Sequence, residues 1–230
     1  MNDEIALSPL SVRPAADAVV FALSGPVGAH VGIHYRVDDA GGRRYLHLAW
    51  HHDLRDEDAL LGGNGDAESG LWVEPKLDRI ALGDVRAAAR LIARRREQGS
   101  EPYAFDAGGA DYVADGRIQL SEGFGLTCAT FVLKVFKRAC VHLVDEPTWD
   151  TGRSAERVDE DRAAQERLVG YLSRHDTHHA KRVAAQVGCS RIRAEEVAAA
   201  SGMSALPISY ERTEPLGREV IEALAKLTAA

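Results

Sequence analysis

Residues 16–23 read Ala-Asp-Ala-Val-Val-Phe-Ala-Leu, a short and nearly unbroken apolar run. A run of this length between polar stretches predicts a strand buried on both faces. Residues 29–36 alternate instead. Val31, Ile33 and Tyr35 fall on one face of a strand, and His30, Gly32 and His34 on the other. Asp38-Asp39-Ala40-Gly41-Gly42 is a turn signal. Residues 44–50 then predict a returning strand and close a hairpin. On that strand Leu46, Leu48 and Trp50 share one face, and Tyr45 and His47 the other.

The pattern next loses its period over residues 61–70, which read as loop. It resumes with a helical spacing of Val85, Ala88, Ala89 and Ile92, predicting a helix over 84–98 with Asp84 as its cap. Tyr112 to Leu120 suggests a second hairpin turning at Asp115-Gly116. The run Gly123-Phe124-Gly125-Leu126-Thr127 leads into a helix from Cys128 to about Ala139, with Phe131, Val132, Val135 and Phe136 as its apolar stripe. Past Glu146-Pro147 and Thr151-Gly152 the composition turns to Ala, Glu and Arg, and residues 154–230 read as three or four helices. Mixed elements followed by helices alone define an α+β chain. A boundary near 150 separates a core of residues 1–150 from a helical region of residues 151–230.

Charge and composition narrow the chemistry. The chain has 230 residues, 45% hydrophobic and 27% charged, which is the balance of a folded globular protein. A net charge of −7 disfavours nucleic acid or an anionic membrane as the main partner. The cysteines at 128, 140 and 189 are odd in number and lack CxxC spacing, so reduced thiols in the cytoplasm are expected. The N-terminal stretch is acidic rather than basic, and the apolar run Ala18 to Leu23 is too short to span a bilayer. Neither a signal peptide nor a membrane span is expected.

Cys128 falls in the first turn of its helix, behind a Gly-Phe-Gly approach. Unpaired N–H groups there carry partial positive charge, which favours the nucleophilic thiolate and can serve an oxyanion. Thr127 is placed to cap the helix. The same spacing also suits a small core residue, because Cys128, Phe131 and Val132 stand at i, i+3 and i+4. A thiolate needs a base, and the base needs an orienting group. Folding the first hairpin brings His30 and His47 near each other on the face away from the apolar residues.

These segments resemble the circularly permuted branch of the NlpC-like, papain-fold thiol enzymes, which includes lecithin:retinol acyltransferase-like and permuted amidase-like proteins. The matching stretches are His30-Val31-Gly32-Ile33-His34-Tyr35, Tyr45-Leu46-His47-Leu48-Ala49 and Thr127-Cys128-Ala129-Thr130-Phe131-Val132. The resemblance covers roughly residues 15–140. It implies a small antiparallel sheet packed on the Cys-bearing helix, with Cys128 as nucleophile, His30 as base and His47 as orienter. It also implies a covalent acyl-enzyme without cofactor or metal. The family usually has Asn or Asp before the Cys, where this chain has Thr127. The implied substrate bears an amide or ester, as in a peptide, a cell-wall fragment or a lipid, with an amide-type bond preferred.

Several signals compete. His51-His52-Asp53 follow the second strand, so His51 or His52 stand as alternatives to His47, or as metal ligands with Cys128. His175, His178 and His179 share a helix face, expected to be a solvated helix start rather than a metal site. Arg94-Arg95-Arg96 reads as a solvated helix end. Residues 180–200 have a helix-turn-helix rhythm, which would set Arg191 and Arg193 at a groove-facing helix start. A lipid hydrolase or acyltransferase would need an apolar patch, for which Leu71, Trp72 and Phe124 are candidates. The remaining alternative is a non-catalytic module in which residues 151–230 bind DNA or protein, or form a homodimer.

Overall fold

The apolar run at 16–23 forms strand β2, Ala18–Gly25, whose first five residues are fully buried. In a computed structural model, which describes residues 5–25, 28–38, 40, 42–58, 70–96 and 101–229, β2 lies inside a six-stranded sheet. The other strands are β1 (Leu7–Pro9), β3 (Gly28–Arg36), β4 (Arg43–Trp50), β5 (Asp53–Glu57) and β6 (Gly70–Val73). Their order is β1-β6-β2-β3-β4-β5, and every pairing is antiparallel. The sheet is larger than the small one expected, because β1, β5 and β6 are short and carry little alternation. A separate hairpin joins β7 (Ala110–Tyr112) to β8 (Ile118–Leu120). Seven helices complete the described residues, so the chain is a mixed α/β protein. None of those helices is long and apolar enough to cross a membrane.

Period-2 alternation sorts the strand residues between two faces. Ala18, Val20, Ala22, Val31, Ile33, Leu46, Leu48, Leu71 and Val73 join one core with the helices. Val19, Phe21 and Trp72 form a smaller cluster of their own, with Tyr45 packed against it. Two of these helices belong to the first part of the chain. Helix α1 (Arg79–Arg95) begins five residues before the expectation and is capped by Asp78, not Asp84. Its first turn is solvent-facing, with Ile80 exposed, so no apolar periodicity marks that start. Helix α2 (Cys128–Arg138) presses Phe131, Val132, Val135 and Phe136 into the core, all essentially inaccessible. Truncating either Phe to Ala would cost about 3–5 kcal/mol.

The C-terminal part contains α3 (Thr148–Thr151), α4 (Ala155–His175), α5 (Thr177–Ala184), α6 (Ala194–Ser201) and α7 (Tyr210–Thr228). The boundary expected near 150 falls within the main core, which also takes in Trp149, Val197, Ala198, Ile208, Val220 and Leu224. Every residue of α6 is buried. Arg193 is spent on Asp161 and Glu160, and Arg191 lies 3.8 Å from Asp161. A buried helix with paired arginines has no face for a DNA groove. Helices α4 and α5 form a second cluster with Ala104 and Phe105. The loop expected at 61–70 lies outside the described residues up to position 69, as do Asp39 and Gly41 of the first turn and the helix end expected at 97–98.

Candidate active site

Strand β3 pairs with β2 along its whole length, but its pairs with β4 stop at Ile33–Leu46. Toward residue 28 the two strands part, and the N-terminus of α2 meets them there. There the His30 imidazole and the Val31 N–H lie close enough to the Cys128 sulfur to lower its pKa. The helix start is held by a capping box: Thr130 N donates to Thr127 Oγ1 at 3.1 Å, and Thr127 N to Thr130 Oγ1 at 2.8 Å. A Thr before the Cys therefore suffices to fix that turn.

The structure brings Cys128, His30 and His47 together. His30 Nε2 lies 2.8 Å from His47 Nδ1, and their ring centroids are 4.9 Å apart, edge to face. Continuing the ladder one step past Ile33–Leu46 sets Gly32 opposite His47, with His30 diagonal to it. The two imidazoles meet above Gly32, where a Cβ would stand 2.6 Å from His47 Cβ. His47 Nε2 in turn lies 3.4 Å from Glu57 Oε2 on β5. Glu57 sits two residues beyond Arg55, the ladder partner of His47.

Protonation follows from burial. His47 is pushed down to about 3, first by burial and then by the charge of His30. It is therefore neutral near pH 7, and Glu57 fixes its proton on Nε2. Its Nδ1 lone pair then accepts the proton of His30 Nε2, which leaves Nδ1 as the His30 ring nitrogen not engaged by His47. Burial alone would raise the Cys128 thiol. The charge and hydrogen bond of His30, the Val31 N–H and the Tyr103 hydroxyl outweigh it and bring the thiol down to about 7. Cys128 is 8% exposed, and half-buried His30 lies beside it.

Tyr103 and Glu57 carry no signal in the sequence. The Tyr103 hydroxyl accepts from the Cys128 N–H at 3.4 Å and lies 3.8 Å from Sγ. Burial, then the nearby thiolate, push this phenol well up, so it stays a proton donor. Trp50 packs on Tyr103 at 4.9 Å and on Tyr171 of α4 at 5.1 Å, so the helical region walls this side.

The other candidates lie elsewhere. His51 accepts from the Tyr103 N–H at its Nδ1, 3.0 Å away, and makes no bond to His30. His52, in the left-handed region at φ 58°, is exposed, and Asp53 pairs with Arg55. His179, expected to be solvated, is buried and donates from Nε2 to the Tyr103 carbonyl at 3.0 Å. His175 stacks on Tyr171, and His178 lies beside Arg182. Ligand atoms of His51, His52 and Asp176 come within 4.8 Å of one another, but the donor set does not fit a cation. A metal on His51 Nε2 would put a proton on Nδ1, facing the Tyr103 N–H donor. Leu71 and Trp72 are buried in the sheet, and Phe124, the third candidate for an apolar patch, is half-buried.

A cavity of about 690 Å³ is lined by Phe105, Thr130, Trp149, Cys189 and Ile192 among others, but by neither Cys128 nor His30. Burial, then Asp106, push its Cys189 thiol up to about 11, the opposite of an activated nucleophile. Comparison with protein-family models, with curated proteins and with solved structures finds no match in any of the three.

Proposed function

We propose that the chain is a thiol-dependent hydrolase of amide-type acyl bonds, with a papain-like core in permuted order. The observation that carries this reading is the set of Cys128, His30, His47 and Glu57: His30 lowers the thiol to about 7 at a helix N-terminus and lies 2.8 Å from His47 Nδ1, whose ring reaches Glu57 at 3.4 Å. A depressed thiol beside an oriented imidazole is the arrangement that nucleophilic acyl transfer needs.

The Cys128 thiolate attacks the carbonyl carbon, and the carbonyl π electrons move to oxygen. At rest the Cys128 N–H donates to the Tyr103 hydroxyl, which lies 3.8 Å from Sγ; an oxyanion formed there can replace these contacts and accept from both groups. The oxyanion collapses, the C–N bond breaks, and protonated His30 gives its proton to the departing amine. Water, deprotonated by His30, then cleaves the thioester and returns the thiol. Neutral His47 holds His30 in the required tautomer, and Glu57 does the same for His47.

The test is intact-mass detection of an acetyl adduct after brief exposure to p-nitrophenyl acetate, followed by turnover of peptide anilides. One adduct per chain is expected, located on Cys128, abolished by Cys128→Ala and slowed about 100-fold by His30→Ala. Acetylation that is slow in the wild type and unaffected by His30→Ala would sink the proposal.

A further inference from the structure

Tyr103 lies in an irregular segment, outside any strand or helix, tied by one isolated bridge to Leu126. Yet its hydroxyl reaches both the N–H and the sulfur of Cys128. Two side chains hold its main chain. The peptide N–H donates to His51 Nδ1 at 3.0 Å, and the carbonyl accepts from His179 Nε2 at 3.0 Å. His51 lies in the turn between β4 and β5, whereas His179 belongs to α5. The two rings stack with centroids 5.1 Å apart and planes 23° apart. Asp176, the N-cap of α5, accepts from the His179 N–H at 3.0 Å and lies 3.6 Å from His51 Nε2.

These contacts set the ring protons. His51 Nδ1 accepts, so its proton sits on Nε2, which is buried without a hydrogen-bond partner, 3.6 Å from Asp176 Oδ2. His179 Nε2 donates, so its ring is used as a donor. His51 is driven down to about 4, first by burial and then by His52 and His179. It therefore keeps its acceptor near pH 7. No sheet ladder satisfies the Tyr103 peptide, and a buried peptide group without a partner is costly, so each imidazole has a definite task.

We propose that His51 and His179 are positioning residues that clamp the Tyr103 main chain so that its hydroxyl reaches Cys128, which makes α5 part of the thiol site. This rests on the thiol-hydrolase reading. It gives the C-terminal helices a role, since the clamp has one jaw on the sheet and one on α5. A hydroxyl at the limit of hydrogen-bond reach loses its contact with a displacement of about 1 Å.

The test is the pH dependence of iodoacetamide alkylation at Cys128 in the full chain, by peptide mass spectrometry, with Cys140 and Cys189 as controls in the same tube. Tyr103→Phe is expected to raise the midpoint by about half a pH unit, a roughly threefold loss of rate at pH 6. His179→Ala should reproduce that shift, and the double variant should not exceed Tyr103→Phe alone. His179→Gln, whose amide can donate to the Tyr103 carbonyl, should restore the wild-type midpoint, which a general loss of packing would not allow. If His179→Ala does not fold, His51→Ala applies the same test through the other peptide bond. A wild-type midpoint in the folded clamp variant, or shifts that add in the double variant, overturns the clamp. A silent Tyr103→Phe beside a His30→Ala midpoint near ~8.5 overturns the clamp alone. A silent His30→Ala overturns the thiol reading and the clamp with it.

Discussion

Gly32 is the point where a single methyl group would test the geometry of the site. It lies between Phe21, its ladder partner on β2, and His47 on β4. A Cβ there would stand 2.6 Å from Phe21 Cε1, Phe21 Cζ and His47 Cβ. Carbon atoms rest at about 3.5–4.0 Å, so relief needs a movement of roughly 1 Å. Phe21 is fully buried and packed edge-on against Tyr45, so the displacement falls on His47. A shift of that size takes the His30–His47 contact from 2.8 Å beyond hydrogen-bond range. Overpacking of this kind costs about 1–3 kcal/mol. Losing the orienting bond should slow acylation about tenfold, the equivalent of ~1.4 kcal/mol. Urea unfolding and p-nitrophenyl acetate burst rates would be measured for Gly32→Ala beside Gly83→Ala. Gly83 lies in α1 with nothing within 4 Å of the point a Cβ would occupy, so there the added methyl should stabilise by about 0.5–1 kcal/mol. A Gly32→Ala protein with wild-type stability and wild-type acylation would refute the placement of His47 over Gly32.

Glu57→Gln should slow acylation about ten- to a hundredfold, the worth of a charge-assisted hydrogen bond, while leaving urea stability within about 1 kcal/mol of wild type; an unchanged burst rate counts against the Glu57 role. Stability should fall in acid. His34, His47 and His51 are held down to about 3, 3 and 4, chiefly by burial, whereas in the unfolded chain they titrate near ~6.5. The unfolded chain therefore binds more protons below that pH, and stability is lost as pH falls through it, by about 1.4 kcal/mol per pH unit for each histidine. Urea midpoints between pH 4 and 7 check this, and His34→Gln should lower the slope by one proton. Glu196 runs the other way. Burial raises it to about 8, so its protonated form stabilises the fold at low pH and that contribution is lost as pH rises from the unfolded value through 8. Glu196→Gln should thus gain stability relative to wild type above pH 8, and a loss there would contradict the assignment.

The sequence alone determined the local elements of the site. Alternation over 29–36 and 44–50 marked two strands with His30 and His47 on one face, and the helical stripe after Thr127 put Cys128 in a first turn. These features are legible because strand and helix periods are short-range properties of the chain. The start of α1 was hidden because its first turn faces solvent. Strand β5 was hidden because Asp-Leu-Arg-Asp-Glu carries almost no apolar alternation. Only the tertiary structure decided which polar groups complete the site. Glu57 reaches His47 through a third strand, and Tyr103 reaches Cys128 from an irregular segment. The two histidines on Tyr103 lie 52 and 76 residues away from it in sequence. Which of nine histidines meets which partner depends on how separate elements pack, and no local period records that packing.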